Sequence, residues 1–164
     1  MKKCFWKNMG QLRVYVCCGA PGSGKSTWAK SLVEGDPRIV RVCPDDNRRI
    51  IGKGSHDQTV SYPAFCMAKD QMRKALGEGK CVIFDATNMY RKARKDFVNL
   101  ARVYGAKVIA EVFECSKAVL IGRNTKRGSE GGRNVPEKVI DDMLARYQRP
   151  EVPEFDEVVF VSKL

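Results

Sequence analysis

The chain has 164 residues and a formal net charge of +11, from 30 Lys and Arg against 19 Asp and Glu. That length fits one domain of about 150 residues, and no apolar run approaches the ~20 residues of a membrane helix, so no membrane is expected as a partner. The basic excess favours a polyanionic partner over a merely solvated surface, because neutralising phosphates releases counterions.

The opening stretch, "MKKCFWKNMGQLR", is basic and lacks the continuous apolar core of a signal peptide. Residues 1–11 are read as an N-terminal extension in which Phe5 and Trp6 either stack on a base or simply pack. "LRVYVCC" (Leu12 to Cys18) is a valine-rich strand, and Lys25 to Glu34 is a helix closed by Gly35. "RIVRVC" (Arg38 to Cys43) is a second strand, followed by a short helix over Asp45 to Ile51 and the loop "GKGSHDQ". A long helix from Tyr62 to Leu76 ends at Gly77 and Gly79. "KCVIFD" (Lys80 to Asp85) is a third strand, Arg91 to Tyr104 a helix ended by Gly105, and "AKVIAEVFE" (Ala106 to Glu114) a fourth strand. Ser116 can cap a helix running to about Lys126. "RGSEGGRN" reads as a charged, Gly-rich loop, and Pro136 suits the first turn of a helix that runs to Tyr147. "EVVFV" (Glu157 to Val161) is a fifth strand. The final Ser162-Lys163-Leu164 matches a peroxisomal tripeptide but reads better as the end of that strand.

Alternating strands and helices mean a single α/β domain, here residues 1–164, with a parallel sheet covered on both faces. Such sheets bind ligands at the C-terminal ends of their strands. Five of the seven cysteines (Cys17, Cys18, Cys43, Cys81 and Cys115) lie in or at the ends of strand-like runs, and Cys17 and Cys18 should face opposite sides of one strand. There is no C-x-x-C pair, so the cysteines read as small apolar side chains in a reducing, cytoplasmic compartment. His56, the single histidine, reads as a surface residue, and Trp28 and Tyr15 as core.

After the first strand comes Gly19-Ala20-Pro21-Gly22-Ser23-Gly24-Lys25-Ser26, which satisfies G-x-x-x-x-G-K-[ST] in full. Glycines let backbone N–H groups turn onto phosphate oxygens, and the helix N-terminus adds its dipole. Gly22, Ser23, Gly24, Lys25, Ser26 and Thr27 are therefore expected to bind a nucleoside triphosphate, with Lys25 on the β and γ phosphates and Ser26 on Mg²⁺. After the second strand, Asp45 and Arg48 share one helix face. The carboxylate can take the proton of an attacking hydroxyl, and the arginine can fork onto a phosphate or carboxylate. The plainer alternative is an N-cap carboxylate beside a surface arginine. Asp85, after the third strand, is placed either to reach Mg²⁺ through water, to orient an acceptor-binding arginine, or to start a turn. Thr87 and Asn88 are short hydrogen-bonding residues on the same rim. Arg123 and Arg127 share a helix face, and Gly128, Gly131 and Gly132 supply hinges. Residues 124–135 thus read as a lid that brings arginines onto a transferring phosphoryl group, an effect of about 10³–10⁵ in rate elsewhere. No N-K-x-D base reader is present, which argues against a GTPase. The chain length argues against a motor or an AAA-type ATPase.

The ordered set "GAPGSGKSTWA", Asp45-x-x-Arg48, "DATN" and Arg123-x-x-x-Arg127 before a Val-Pro resembles the P-loop kinase domain of phage-type polynucleotide kinases, from about Arg13 to Tyr147. The resemblance implies an adenylate-kinase-like five-stranded sheet of order 2-3-1-4-5 and ATP-dependent phosphorylation of a DNA or RNA 5′-hydroxyl. Asp45 would be the general base and Arg48 the grip on the adjacent phosphate. Asp85 would line the acceptor side and support Arg48, and Arg127 would lie on the donor phosphates with Arg123 nearby. Two features depart from the pattern: Pro44 stands where a basic residue is common, and a long lid carries Arg133, which has no assigned role. No phosphatase or ligase signature accompanies the kinase set, so a kinase alone is expected. The residues leave open a kinase of a hydroxymethylated base in DNA, a small-metabolite kinase, and a nucleotide-gated nucleic-acid binder without transfer. The oligomeric state is also open.

Overall fold

The computed structural model describes residues 10–161. Phe5, Trp6, most of the N-terminal extension and the Ser-Lys-Leu terminus lie outside them. Five strands, β1 (Arg13–Cys18), β2 (Ile39–Val42), β3 (Cys81–Phe84), β4 (Lys107–Val112) and β5 (Glu157–Phe160), form one sheet in the order β2-β3-β1-β4-β5. Every pairing is parallel. The helices are α1 (Lys25–Gly35), α2 (Pro44–Ile51), α3 (Ser61–Gly77), α4 (Arg91–Val103), α5 (Lys117–Ser129) and α6 (Glu137–Ala145). Among the described residues no helix is long and apolar enough to cross a membrane.

Both faces of the sheet are covered, as parallel strands require. On one face Val14, Val16 and Cys18 pack with Phe84, Val108 and Ala110 against Met72 and Leu76 of α3 and Phe97 of α4. Phe84 and Phe97 stack at 3.7 Å between centroids. On the other face Tyr15 and Cys17 meet α1, where Trp28 packs edge-on to Tyr15 and Phe113. Period-2 alternation therefore sends Cys17 and Cys18 to opposite cores, and Trp28 and Tyr15 are core residues. A third cluster, including Ala20, Met89, Leu120, Val135 and Ile140, anchors α5 and α6 over the C-terminal edge of the strands.

The element boundaries differ from the sequence expectation chiefly around α5. The helix starts at the Ser116 cap, whose hydroxyl accepts from Val119 N, and continues to Ser129. Part of the expected loop is therefore helical, Gly128 included. Pro136 serves as the N-cap of α6 rather than its first residue, and α6 stops at Ala145, after which Gln148 N donates to Met89 O at 2.9 Å.

One buried group stands apart from this apolar frame. Glu111, 1% exposed on β4, lies opposite Cys17 in the register, and its Oε1 meets no protein hydrogen-bond partner among the described residues. Burial, with the Glu157 carboxylate adding, raises its carboxyl from 4.5 to about 8. Between those values the folded chain keeps a proton that the unfolded chain releases, so stability falls as pH rises through that window. Glu111→Gln should flatten the fall: thermal melts at pH 5 and pH 8 are expected to differ by at least about 3 °C less in the variant than in the parent. Parallel pH slopes would contradict the assignment.

Candidate active site

The turn after β1 bends the backbone back on itself before α1 begins. Gly22 and Gly24 have φ of 85° and 100°, values that glycine adopts without strain. A Cβ on Gly22 would come within 2.8 Å of Leu120 O, and one on Gly19 within 2.6 Å of Phe113 O. Gly19 N donates to Thr87 O at 2.9 Å, tying the cradle to the turn after β3. Lys25 is buried, and its Nζ donates to two neutral acceptors, Ala20 O at 2.7 Å and Ser23 Oγ at 3.2 Å. Burial lowers its pKa, and the Asp85 charge opposes that shift. A desolvated ammonium without a contacting carboxylate, at the bottom of a glycine turn, fits a phosphate.

This turn forms one wall of a cavity of about 600 Å³ at the C-terminal edge of the sheet. Gly22, Gly24, Lys25, Ser26, Thr27, Asp45, Arg48, Asp85, Thr87, Arg123 and Arg127 all line it, so the topology brings together most of the expected site. Ser23 and Asn88 do not line it. The Ser23 hydroxyl serves Lys25 instead. Asn88, expected on the acceptor rim, is 3% exposed at φ 49°, and its amide donates to Cys17 O at 2.8 Å. It braces the turn after β3 against β1, and its backbone carbonyl accepts from the fully buried Arg94.

Opposite the cradle, Pro44 starts α2 and its first turn presents the half-exposed Asp45 carboxylate. Arg48, one turn on, makes a close ion pair with it. The Arg48 guanidinium is buried and is held by Ser55 O at 3.0 Å and Ser61 Oγ at 3.1 Å. The expectation that Asp85 supports Arg48 is corrected here. Asp85 pairs with Arg41 of β2, at 2.8 Å from Nε and 2.7 Å from Nη2, and Arg41 also binds Asp46. Residues 41 and 85 reach the same side of neighbouring strands, whereas Arg48 is committed to α2 and α3. A charged residue inside a four-residue parallel strand was the available signal for Arg41, since such a group needs a partner.

Arg133 supplies what the sequence left unassigned. Its Nη1 lies 3.2 and 3.1 Å from the two oxygens of Asp45, so that carboxylate sits between two guanidiniums. Its backbone oxygen accepts from Arg127 Nε at 2.6 Å. Asn124, 3% exposed, holds the connection in place: its amide donates to Asn134 Oδ1 and Val135 O, and its oxygen accepts from Val135 N and Arg127 Nη2. Gly132 allows the chain to turn close over Arg127, where a Cβ would meet Arg127 Cγ at 2.7 Å. Burial first, and then the Arg133 charge, lowers the pKa of both Arg48 and Arg127. Three crowded guanidiniums and one buried lysine favour a bound polyanion. A second recess, of about 420 Å³, adjoins the cradle between Phe113, Ser116, Val119, Arg123 and Val161. His56 is exposed and lies outside both.

A family model described as an AAA domain matches residues 14–150. The L-seryl-tRNA(Sec) kinase of Methanococcus maripaludis is 24% identical over 139 residues, covering 82% of this chain and 52% of that protein. One chain in the solved structure of the Pnkp1/Rnl/Hen1 RNA repair complex superposes with a TM-score of 0.75 at 27% identity, over 85% of this chain and 45% of that one. A gluconokinase from Sinorhizobium meliloti 1021 superposes with a TM-score of 0.60 at 16% identity, over 93% and 84%, a likeness of fold alone. The chain spans about half the length of the curated relatives it matches.

The Arg41–Asp85 pair has side chains only 14% and 2% exposed. Arg41→Ala leaves a buried carboxylate without its partner and should lower stability by about 3–5 kcal/mol, measured by urea denaturation. A loss below about 1 kcal/mol would mean that water or Lys25 satisfies Asp85 equally well.

Proposed function

The chain belongs to the AAA domain family and carries its P-loop kinase-like nucleotide-binding domain, and from that premise we propose that it transfers the γ-phosphoryl group of ATP to the 5′-hydroxyl of a DNA or RNA strand. The fold implies ATP binding, and a kinase among its sequence relatives supports phosphotransferase activity. The AAA description stands although chain length argued against an AAA-type ATPase; the matched span fits within residues 14–150. One observation carries the choice of acceptor. The Asp45 carboxylate faces the phosphate cradle across one cavity, with the buried Arg48 beside it. A hydroxyl that sits next to a phosphate needs that combination, and the 27% likeness to a chain of an RNA repair complex supports it.

In this reading the donor phosphates lie on the amides of residues 22–27, and Lys25 reaches the β and γ groups. The recess by Phe113 and Val119 takes the donor's base. The 5′-oxygen attacks the γ-phosphorus in line, its proton passes to Asp45, and the bond to the β-phosphate oxygen breaks to release ADP. Arg127, with Arg123 nearby, neutralises charge that builds on the transferring group. Arg48 holds the phosphate on the 3′ side of the terminal nucleoside. Asp45 accepts the proton once Arg48 and Arg133, which both pair with it, turn to the incoming phosphates. Among the described residues no three His, Cys, Asp or Glu side chains converge as a metal site. The Ser26 hydroxyl would hold Mg²⁺, which would supply charge neutralisation on the donor phosphates. The proposed compartment is the cytoplasm.

The deciding assay is transfer from γ-labelled ATP with Mg²⁺ to a short single strand bearing a 5′-hydroxyl, against the same strand already 5′-phosphorylated. Label on the first alone is expected. Label on neither overturns the reading in favour of a small acceptor, and label on both points to an internal hydroxyl or a modified base. Asp45→Asn should lower kcat by about 10²–10⁴ while ATP still raises the melting temperature. Lys25→Ala should abolish that thermal shift; a retained shift would show that the phosphates bind elsewhere.

A further inference from the structure

Beside the catalytic cavity, a groove of about 840 Å³ runs between α3 and α4. Phe65 lines both, so the two spaces adjoin at its ring. Phe65 and Phe97 meet edge to face at 6.2 Å and line the groove with apolar surface. Tyr90 stands on one wall, with the Arg146 guanidinium 5.6 Å from its ring centre. Tyr62, at the start of α3, is 81% exposed. The charged lining is Lys69, Lys92 and Arg146 against Asp96 alone, and Asp96 is neutralised by Lys69 at 2.6 Å. Two cations therefore remain in excess around a set of aromatic rings.

We propose that this groove is a second subsite for single-stranded nucleic acid, holding the nucleotides that follow the 5′-terminal one. The inference rests on the reading of the chain as a kinase of nucleic-acid ends. Two features select this occupant. The exposed ring of Tyr62, with the half-buried rings of Phe65 and Tyr90 behind it, offers a face on which an unpaired base stacks, and paired bases present no such face. The excess cations complement a phosphate backbone. The groove also adjoins the acceptor side of the cavity at Phe65. Ser61, which takes a hydrogen bond from Arg48, directly precedes Tyr62. A strand with its 5′ end at Asp45 and Arg48 leaves the cavity past the start of α3 and meets the ring of Tyr62 next.

The test compares a 5′-hydroxyl nucleoside 3′-phosphate, which reaches only the cavity, with a 12-nucleotide single strand. The parent, Tyr62→Ala and Lys92→Ala are assayed for transfer to both acceptors. The same proteins are measured by fluorescence anisotropy for ATP-free binding of the labelled strand. Tyr62 is exposed, so its replacement should leave the melting temperature within about 1 °C of the parent. In the parent the strand should have the lower KM. In Tyr62→Ala that advantage should shrink about 5- to 100-fold, with kcat for the strand little changed, and strand affinity should fall by the same factor. In Lys92→Ala the salt dependence of strand binding should become shallower. A KM ratio and an affinity unchanged in Tyr62→Ala would overturn the groove while leaving the kinase reading intact. If the parent phosphorylates neither acceptor, the kinase reading fails separately, and the anisotropy still decides the groove. Affinity lost in Tyr62→Ala supports it; affinity kept in the variant, or no binding by the parent, overturns it in favour of a different occupant such as a protein.

Discussion

Five cations, Lys25, Arg48, Arg123, Arg127 and Arg133, line the central cavity against two carboxylates, Asp45 and Asp85. Like charges at this density repel, and partial burial strengthens the repulsion by removing water. They stay together because each is held by hydrogen bonds to the loops and helices around the cavity, such as Lys25 to Ala20 O, Arg48 to Ser55 O and Arg127 to Arg133 O. The parallel strands end at one edge, the loops that follow them converge there, and three apolar clusters keep that edge from opening. The cost of gathering the charge is offset when a polyanion enters, so a site that is electrostatically uneasy alone is well suited to a nucleoside triphosphate.

The devices that hold this edge are buried polar groups with nearly all their valences used. Arg94 is fully buried and donates to Asn88 O, Gln148 O and the Glu154 carboxylate, which ties α4 to the turn after β3, the exit of α6 and the approach to β5. Asn124 does the same for the connection between α5 and α6. Arg41 locks Asp85 and Asp46 together at the mouth of β2 and β3. Each would be costly with a single partner missing, since a buried donor or charge left unpaired loses its hydration without replacement. Such networks fix geometry, and a phosphoryl-transfer site depends on geometry more than on any one reactive group.

The segment between Asn124 and Val135 shows how a plausible local reading can miss its physical role. Three glycines among twelve mostly charged or polar residues suggested hinges. Gly128 lies inside α5 against Asn134, and Gly132 lets the chain pass close over Arg127. Small size at crowded points is what these two positions use. Arg133, which no motif singled out, ends beside Asp45 because this tight return points it back across the cavity.

Features whose parts repeat at the period of a strand or helix, or form one contiguous motif, were legible in the sequence. Strand and helix periods fixed the α/β alternation, the glycine turn before Lys25 declared the phosphate cradle, and the three-residue spacing of Asp45 and Arg48 put them on one helix face. The strand order followed from the resemblance those motifs carry. Packing settled the pairings that follow no period: Arg41 with Asp85, 44 positions apart, Arg133 with Asp45, 88 apart, and, within one segment, Arg127 with the Arg133 carbonyl. It also turned Asn88 inward to Cys17 and opened the aromatic groove between α3 and α4. Local spacing carries information because backbone geometry repeats every two or 3.6 residues. A contact between distant residues has no such period, and exists only once packing has chosen which ends of which elements meet.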